Sequence, residues 1–398
     1  MIKAFRYYKF PEICTVKVKV NCIPPTVHAI SLLNPASYHK TASQANKTTM
    51  VQARQWILTN QPEGLPVLDG PDATFTLKEA ETGSLQDGQI LVKTVYLSND
   101  PAQRGWLRKM EDPSRLYVPP VGKGEVMRAR ALAEVLESSA SNFKKGDIVI
   151  APTGWAEKIV LSASACQAAP PLPNNLSVTH YLGALGLTGL TAYFGLTSVA
   201  RTSASDVVVI SGAAGATGSM AVQIAKKILG AKRVIGIAGS DSKCKWVESI
   251  GADQCLNYKS ASFAADLKKA TPDFADVYFD NVGGEILDLM LTRMAKHGRI
   301  AACGAISNYN SAGDALTGLK NWFEVISMRI EIKGFIVMDF MNKWGEALEL
   351  FKKAVTDGKL TVGDEAEHIV EADFEEIPKV WMGLFEGANQ GKLLTKIK

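Results

Sequence analysis

At 398 residues, 46% of them hydrophobic and 21% charged, the chain has room for roughly two or three domains with sizeable cores and is not a disordered chain. A net charge of +4, with no dense basic tract interleaved with aromatics, argues against nucleic acid as a partner. No apolar run approaches the roughly 18–20 residues that span a bilayer, so no membrane partner is expected.

The six cysteines (Cys14, Cys22, Cys166, Cys244, Cys255, Cys303) are scattered, with no C-x-x-C pair. That pattern speaks against a disulfide framework and a cysteine-clustered zinc site, and a reducing, cytoplasmic setting is expected. Residues 1–50 stand apart. From Met1 to Pro62 the only acidic residue is Glu12, against eight Lys or Arg, and hydroxyl residues collect from Ser31 to Thr49. Three readings of this extension stay open: a mitochondrial transit peptide, although no amphipathic helix is visible and "CIPP" at Cys22–Pro25 would interrupt one; a disordered extension; or an upstream start with Met50 as the usual first residue.

From Gln55 to about Pro173, short β-like runs are separated by Gly, Pro and Asp turns. Strands are expected within Gln89–Ser98, Glu125–Ser138 and Gly146–Ser162, which makes a small, mostly antiparallel β domain. A Pro-rich connector at Cys166–Asn175 leads to a helical stretch around Thr179–Val199. The rhythm then changes. Apolar strands at Asp206–Ser211, Arg233–Gly239, Gln254–Tyr258, Asp276–Val282, Gly298–Gly304 and Arg329–Val337 alternate with helices. Such strands imply a parallel sheet covered on both faces, and six is the count of a complete doubly wound dinucleotide-binding fold. A helix over Lys343–Lys359, a shorter one at Ile377–Phe385 and a strand at Lys392–Ile397 close the chain.

Between the first strand and its helix, "ISGAAGATGS" reads A-x-G-x-x-G at Ala213, Gly215 and Gly218. The spacing fits a pyrophosphate turn if Gly212, one residue earlier, makes the tight bend. A helix N-terminus then aims free N–H groups at the phosphates. Small residues here also serve plain close packing, but the strand before and the helix after meet the structural test for the motif. At the end of the second strand, "AGSDSK" offers Gly239, Ser240 and Lys243 where an acidic residue would select NAD. A cation and a hydroxyl suit a 2′-phosphate, unless Asp241 points inward. NADP(H) is the expected cofactor.

These motifs together with "GLTGLTAYFGL", "LNYK", "YFDNVGGE", "GRIAACGAISNYN" and "GANQGK" resemble the medium-chain dehydrogenase/reductases. Within them the match is to the zinc-independent prostaglandin reductase and alkenal double-bond reductase branch, from about Val51 to the C-terminus. The resemblance implies an α/β chain: a GroES-like β-rich catalytic domain (51–183), a Rossmann doubly wound parallel sheet domain (184–355), and a C-terminal segment (356–398) returning to the first domain. It implies cofactor contacts at Gly215, Ala216, Thr217 and Gly218, at Lys243 and Tyr258 for the 2′-phosphate, and at Asn281. Further contacts are implied at Cys303, Gly304, Ala305, Ile306, Ser307 and Tyr309, at a nicotinamide-side strand Phe335, Ile336 and Val337, and at Asn389. A homodimer is also implied. The family's "DPYMR" reads "DPAQR" here, so the substrate-side loop at Ala102 and Gln103 departs from the pattern.

The five histidines are scattered, without a Gly-His-Glu motif, so no metal site is expected and zinc-assisted alcohol oxidation is not the expected chemistry. The expected reaction is hydride transfer from NADPH to the β-carbon of an enal or enone, with Tyr309 donating to the developing enolate oxygen. An orienting or packing Tyr309, with the cofactor's ribose hydroxyl as donor, is the alternative. Quinone reduction on the same scaffold and a non-catalytic NADPH-binding protein are the competing functions.

Overall fold

The computed structural model describes residues 51–110, 112–311 and 318–398. The readings of residues 1–50 lie outside them. Strands β1 (Gln52–Leu58) and β2 (Phe75–Glu81) form an antiparallel pair. β3 (Gln89–Ser98), β4 (Ala131–Ser138), β5 (Ile148–Ala151), β6 (Lys158–Ser162) and β7 (Gln167–Ala168) belong to a larger sheet. The chain then enters α1 (Leu187–Phe194) and a parallel sheet built from β8 (Val207–Ser211), β9 (Arg233–Ala238), β10 (Gln254–Asn257), β11 (Ala275–Asp280), β12 (Met294–Ala302) and β13 (Glu331–Gly334). Its order, β10-β9-β8-β11-β12-β13, is that of a doubly wound dinucleotide fold.

Between these strands run α2 (Ala216–Gln223), α3 (Asp241–Ser249), α4 (Phe263–Ala270), α5 (Gly284–Leu291) and the short α6 (Phe323–Ser327). Both faces of the central strands β8, β9 and β11 are covered, which is why these strands are mostly apolar, whereas β13 at the edge is largely exposed. On β8, Val208 and Ile210 pack with Leu190, Met220 and Phe351, whereas Val209 packs on the other face with Ile235, Leu267 and Met290. Burying each such side chain contributes about 1.5–3 kcal/mol.

After α7 (Trp344–Thr356), the chain crosses back. β14 (Glu367–Ala372), α8 (Ile377–Glu386) and β15 (Lys392–Ile397) follow, and the first large sheet reads β14-β15-β3-β4-β5-β7, with β6 also on β3. The return is fixed by packing and by charge. Trp381 of α8 meets Trp155 and Phe75, with ring centroids 5.7 and 6.1 Å away. The buried Lys392 ammonium donates to Asn99 O and Asp100 Oδ1, both at 2.7 Å. Beside it, Glu367 accepts from Thr179 Oγ1 at 2.6 Å and lies 3.0 Å from His180 Nδ1.

Three expectations need correction. Strand structure in Glu125–Ser138 starts only at Ala131, because the bonds of residues 126–130 are divided among three neighbouring segments: Met127 N to Trp56 O, Gly154 N to Ala129 O with Trp155 N to Met127 O, and Ser98 N to Arg130 O. The strand placed at Arg329–Val337 is Glu331–Gly334; Arg329 has φ +53°, which no strand continues through, and a 3-10 turn begins at Val337. The helix at Thr179–Val199 is broken: a 3-10 turn over Val178–Leu182 precedes α1, and Gly183 and Gly186 between them have non-helical backbones.

Lys392→Met should lower stability by roughly 2–3 kcal/mol, below the loss for a fully buried pair because Asp100 is 30% exposed. Denaturant unfolding of the two proteins side by side checks this.

Candidate active site

Ligands of doubly wound sheets lie beyond the carboxyl ends of the strands. Nearly all of the expected residues stand there. Gly215 caps α2, and Ala216, Thr217 and Gly218 form its first turn, after β8. Gly212 takes φ +58° and makes the bend, with Gly215 N donating to Gly212 O at 2.9 Å. A Cβ at Gly218 would sit 2.1 Å from Gly212 O, so helix and strand approach in a way only glycine permits. With these geometries the turn fits a pyrophosphate.

After β9, Ser240 Oγ accepts from Lys243 N at 3.3 Å and starts α3. The Asp241 carboxylate accepts from Asn257 Nδ2 at 2.8 Å. The Lys243 ammonium reaches Gly387 O at 2.7 Å. Burial, and then repulsion from Lys259, hold it below the usual lysine range. Lys259 in turn lies 6.0 Å over the Tyr258 ring, and that ring covers Gly239. Two mutually repelling ammonium groups beside a tyrosine suit a bound phosphate, which would offset both.

At the ends of β11 and β12 the loops are organised by Asp280, which the sequence motif contained but which was not singled out. Its Oδ1 accepts from Ser211 Oγ (3.1 Å), Tyr278 OH (2.9 Å), Val282 N (3.0 Å) and Gly283 N (2.9 Å). Its backbone oxygen accepts from Cys303 N and Gly304 N at 2.9 and 3.0 Å. Asn281 donates through Nδ2 to Ser211 O at 2.7 Å, and its own carbonyl accepts from Ile306 N at 3.3 Å. Ser307 Oγ donates to Val282 O at 2.6 Å. The Cys303 thiol is pushed up to about 12 by burial and then by Asp280, so it stays protonated.

The same loop presents Tyr309. Its oxygen accepts from Ala305 N at 3.3 Å, leaving its proton free to donate elsewhere. Burial raises its pKa above 10.0; the Ala305 N–H and Arg108 partly oppose this, while Cys303 and Tyr117 add to it. Phe335 follows β13, but its ring packs 6.3 Å from Phe279 and against Gly195, so its side chain serves the core. Ile336 and Val337 follow it directly. Asn389 comes from the returning segment and donates to Gly391 O at 2.8 Å; Gly391 N in turn donates to Ala214 O at 2.8 Å, beside the glycine turn.

The glycine turn and this constellation agree with what the chain is similar to. Residues 54–169 match a family model described as the N-terminal domain of oxidoreductase, and 216–353 match one described as zinc-binding dehydrogenase. Prostaglandin reductase 1 of Bos taurus is 36% identical over 350 residues, covering 87% of this chain and 100% of the bovine one. The chain belongs to the medium-chain dehydrogenase/reductases, in the prostaglandin reductase branch. NADPH-dependent curcumin reductase of Escherichia coli is 33% identical over 351 residues, covering 86% and 96% of the two chains. The crystal structure of CurA in complex with NADPH from Vibrio vulnificus has a TM-score of 0.77 and 32% identity, covering 87% of this chain and 99% of that one. This medium-chain reductase is an NADP-dependent oxidoreductase. Among the described residues, no group of three or more His, Cys, Asp or Glu is placed to hold a metal ion.

Residues that sequence reasoning missed are Asp280 and Ser211. Only Asp280 carried a local signal, its place at a strand end directly before Asn281. Lys243→Ala should weaken NADPH binding about tenfold or more while leaving NADH nearly unchanged, as expected for loss of one charge-assisted contact. Fluorescence titration with both cofactors checks this, and equal loss for both would remove Lys243 from the 2′-phosphate site.

Proposed function

We propose that this enzyme reduces the carbon–carbon double bond of α,β-unsaturated aldehydes and ketones without zinc. The observation that carries the reading is Tyr309: a half-buried phenol whose pKa is raised above the usual tyrosine value, with its oxygen occupied by Ala305 N–H and its proton free. Prostaglandin reductase and curcumin reductase among the relatives support the substrate class. Gly215–Gly218 hold the pyrophosphate, and Lys243 with Tyr258 the 2′-phosphate. Asn281, the 303–309 loop and the stretch from Phe335 to Val337 would contact the remainder of the cofactor, and Asn389, on the turn between Lys243 and Ala214, would lie toward its phosphates. NADPH, when bound, supplies the hydride.

The chain's own residues do the rest. As the β-carbon gains a hydride, the carbon–carbon π pair shifts to join the α-carbon to the carbonyl carbon, the carbonyl π pair moves onto oxygen, and Tyr309 donates a hydrogen bond to that enolate oxygen. The α-carbon then takes a proton from Tyr309 or solvent. Because the donor must be protonated and its pKa is raised, the rate should stay level from neutral pH to about 10 and fall only above it.

Tyr309→Phe should lower kcat by about 100-fold, the usual loss for one oxyanion donor, with NADPH affinity little changed. NADPH consumption should be followed with enals, enones, quinones and simple alcohols. Turnover of alcohols alone would refute the reading, turnover of quinones alone would replace it with quinone reduction, and binding without turnover would leave a cofactor-binding protein.

The reading extends to a homodimer in a reducing, cytoplasmic setting. Support for the dimer comes from β13 at the edge of the parallel sheet, with exposed Trp322, Phe323 and Ile326 nearby. Light scattering on Phe323→Glu against the parent should show a shift toward monomer.

A further inference from the structure

The turn Pro101–Leu107 holds a cation in an unusual state. Arg104 is fully buried, and no carboxylate pairs with it among the described residues. Burial lowers its pKa to about 10, with Arg108 adding repulsion, so it remains charged at neutral pH. Its compensation comes from neutral oxygens. Nη2 donates to the carbonyls of Pro62 (3.2 Å), Glu63 (3.4 Å) and Gly64, and Nε donates to Asn310 Oδ1 at 2.9 Å. Nη1 has no partner among the described residues. An uncompensated buried guanidinium is costly, so each of these contacts is strongly favoured.

The partners lie on both sides of the chain's two large sheets. Pro62–Gly64 and Arg104 belong to the β-rich half, whereas Asn310 extends the loop after β12. A second arginine of the same stretch repeats the link, with Arg108 Nη2 donating to Asn308 O at 3.3 Å. Tyr309 is the residue between these two anchored asparagines. The turn carrying the arginines is itself pinned, since Gln103 Nε2 donates to Arg128 O at 2.8 Å and Asp100 holds Lys392.

We propose that Arg104 is a positioning residue for the reduction: through Asn310, and with Arg108 on Asn308, it clasps the loop and fixes the Tyr309 hydroxyl for donation. This rests on the reading of Tyr309 as the donor. It also gives the buried charge a purpose, because a guanidinium that must keep its neutral acceptors holds the loop more firmly than a neutral pair would.

Arg104 variants are liable to misfold, so the test is made at Asn310, which is only partly buried. Single-turnover rates with an enone are measured on NADPH-loaded enzyme, for Asn310→Ala and Asn310→Asp, with and without Tyr309→Phe. Asn310→Ala should slow reduction about tenfold, the worth of one good hydrogen bond to a charge, without changing NADPH affinity. Asn310→Asp keeps an acceptor for Arg104 and should restore most of the rate. In the Tyr309→Phe background, Asn310→Ala should cost nothing more, because residues acting as a unit are not additive. An equal loss in both backgrounds, no loss in the parent, or no recovery with Asn310→Asp would overturn the proposal while leaving Tyr309 as donor. A full rate for Tyr309→Phe alone is a separate failure: it removes the donor, and the clasp's catalytic role falls with it.

Discussion

A single buried carboxylate organises the chemistry-bearing end of this molecule. Asp280 is 1% exposed, and its side-chain oxygen accepts from a serine at the end of β8 and from a tyrosine and two backbone N–H groups of its own stretch, residues 278–283. A carboxylate in that position is expensive to desolvate, and only a full set of donors makes it tolerable. The cost is therefore a constraint on Ser211 and the turn after β11, while Cys303 N and Gly304 N tie the loop after β12 to the Asp280 backbone oxygen. The other site residues, Tyr309 among them, inherit their places from that arrangement.

The second constraint is the return of the C-terminal segment. Trp381 fills the aromatic core of the β-rich half, and Lys392 secures β15 to the start of the Pro101–Leu107 turn. Between them, the 387–391 turn touches Lys243 at one end and Ala214 at the other. The proposed 2′-phosphate and pyrophosphate positions are thus bridged by a segment that closes the fold. One piece of chain ties the turn bearing Arg104 to the rim of the nucleotide site.

Much of the fold was legible because it is periodic. Short apolar runs alternating with helices identify a parallel sheet, and its order follows from the doubly wound pattern. The glycine turn was legible for the same reason: its spacing is local, and Gly212 with φ +58° replaces the missing first glycine. Element ends were less legible where tertiary bonds override local pattern. Residues 126–130 read as strand but bond to three neighbours, and Arg329 reads as strand but turns left-handed. The bond that Asp241 accepts from Asn257, sixteen residues away, is likewise a contact that local pattern does not show.

The sequence by itself determined the fold class and the place of the glycine turn, and it pointed to Lys243 and Tyr309 as the residues proposed for cofactor and reaction. These follow from spacing within a few residues, where backbone geometry dictates which side chains share a face. Only the tertiary structure decided what holds those groups in position. Arg104 and Asn310 are separated by 206 residues, and Lys392 and Asp100 by 292. No periodicity links such partners, because they are chosen by burial: a charge removed from water must take whichever acceptors the packed core brings to it.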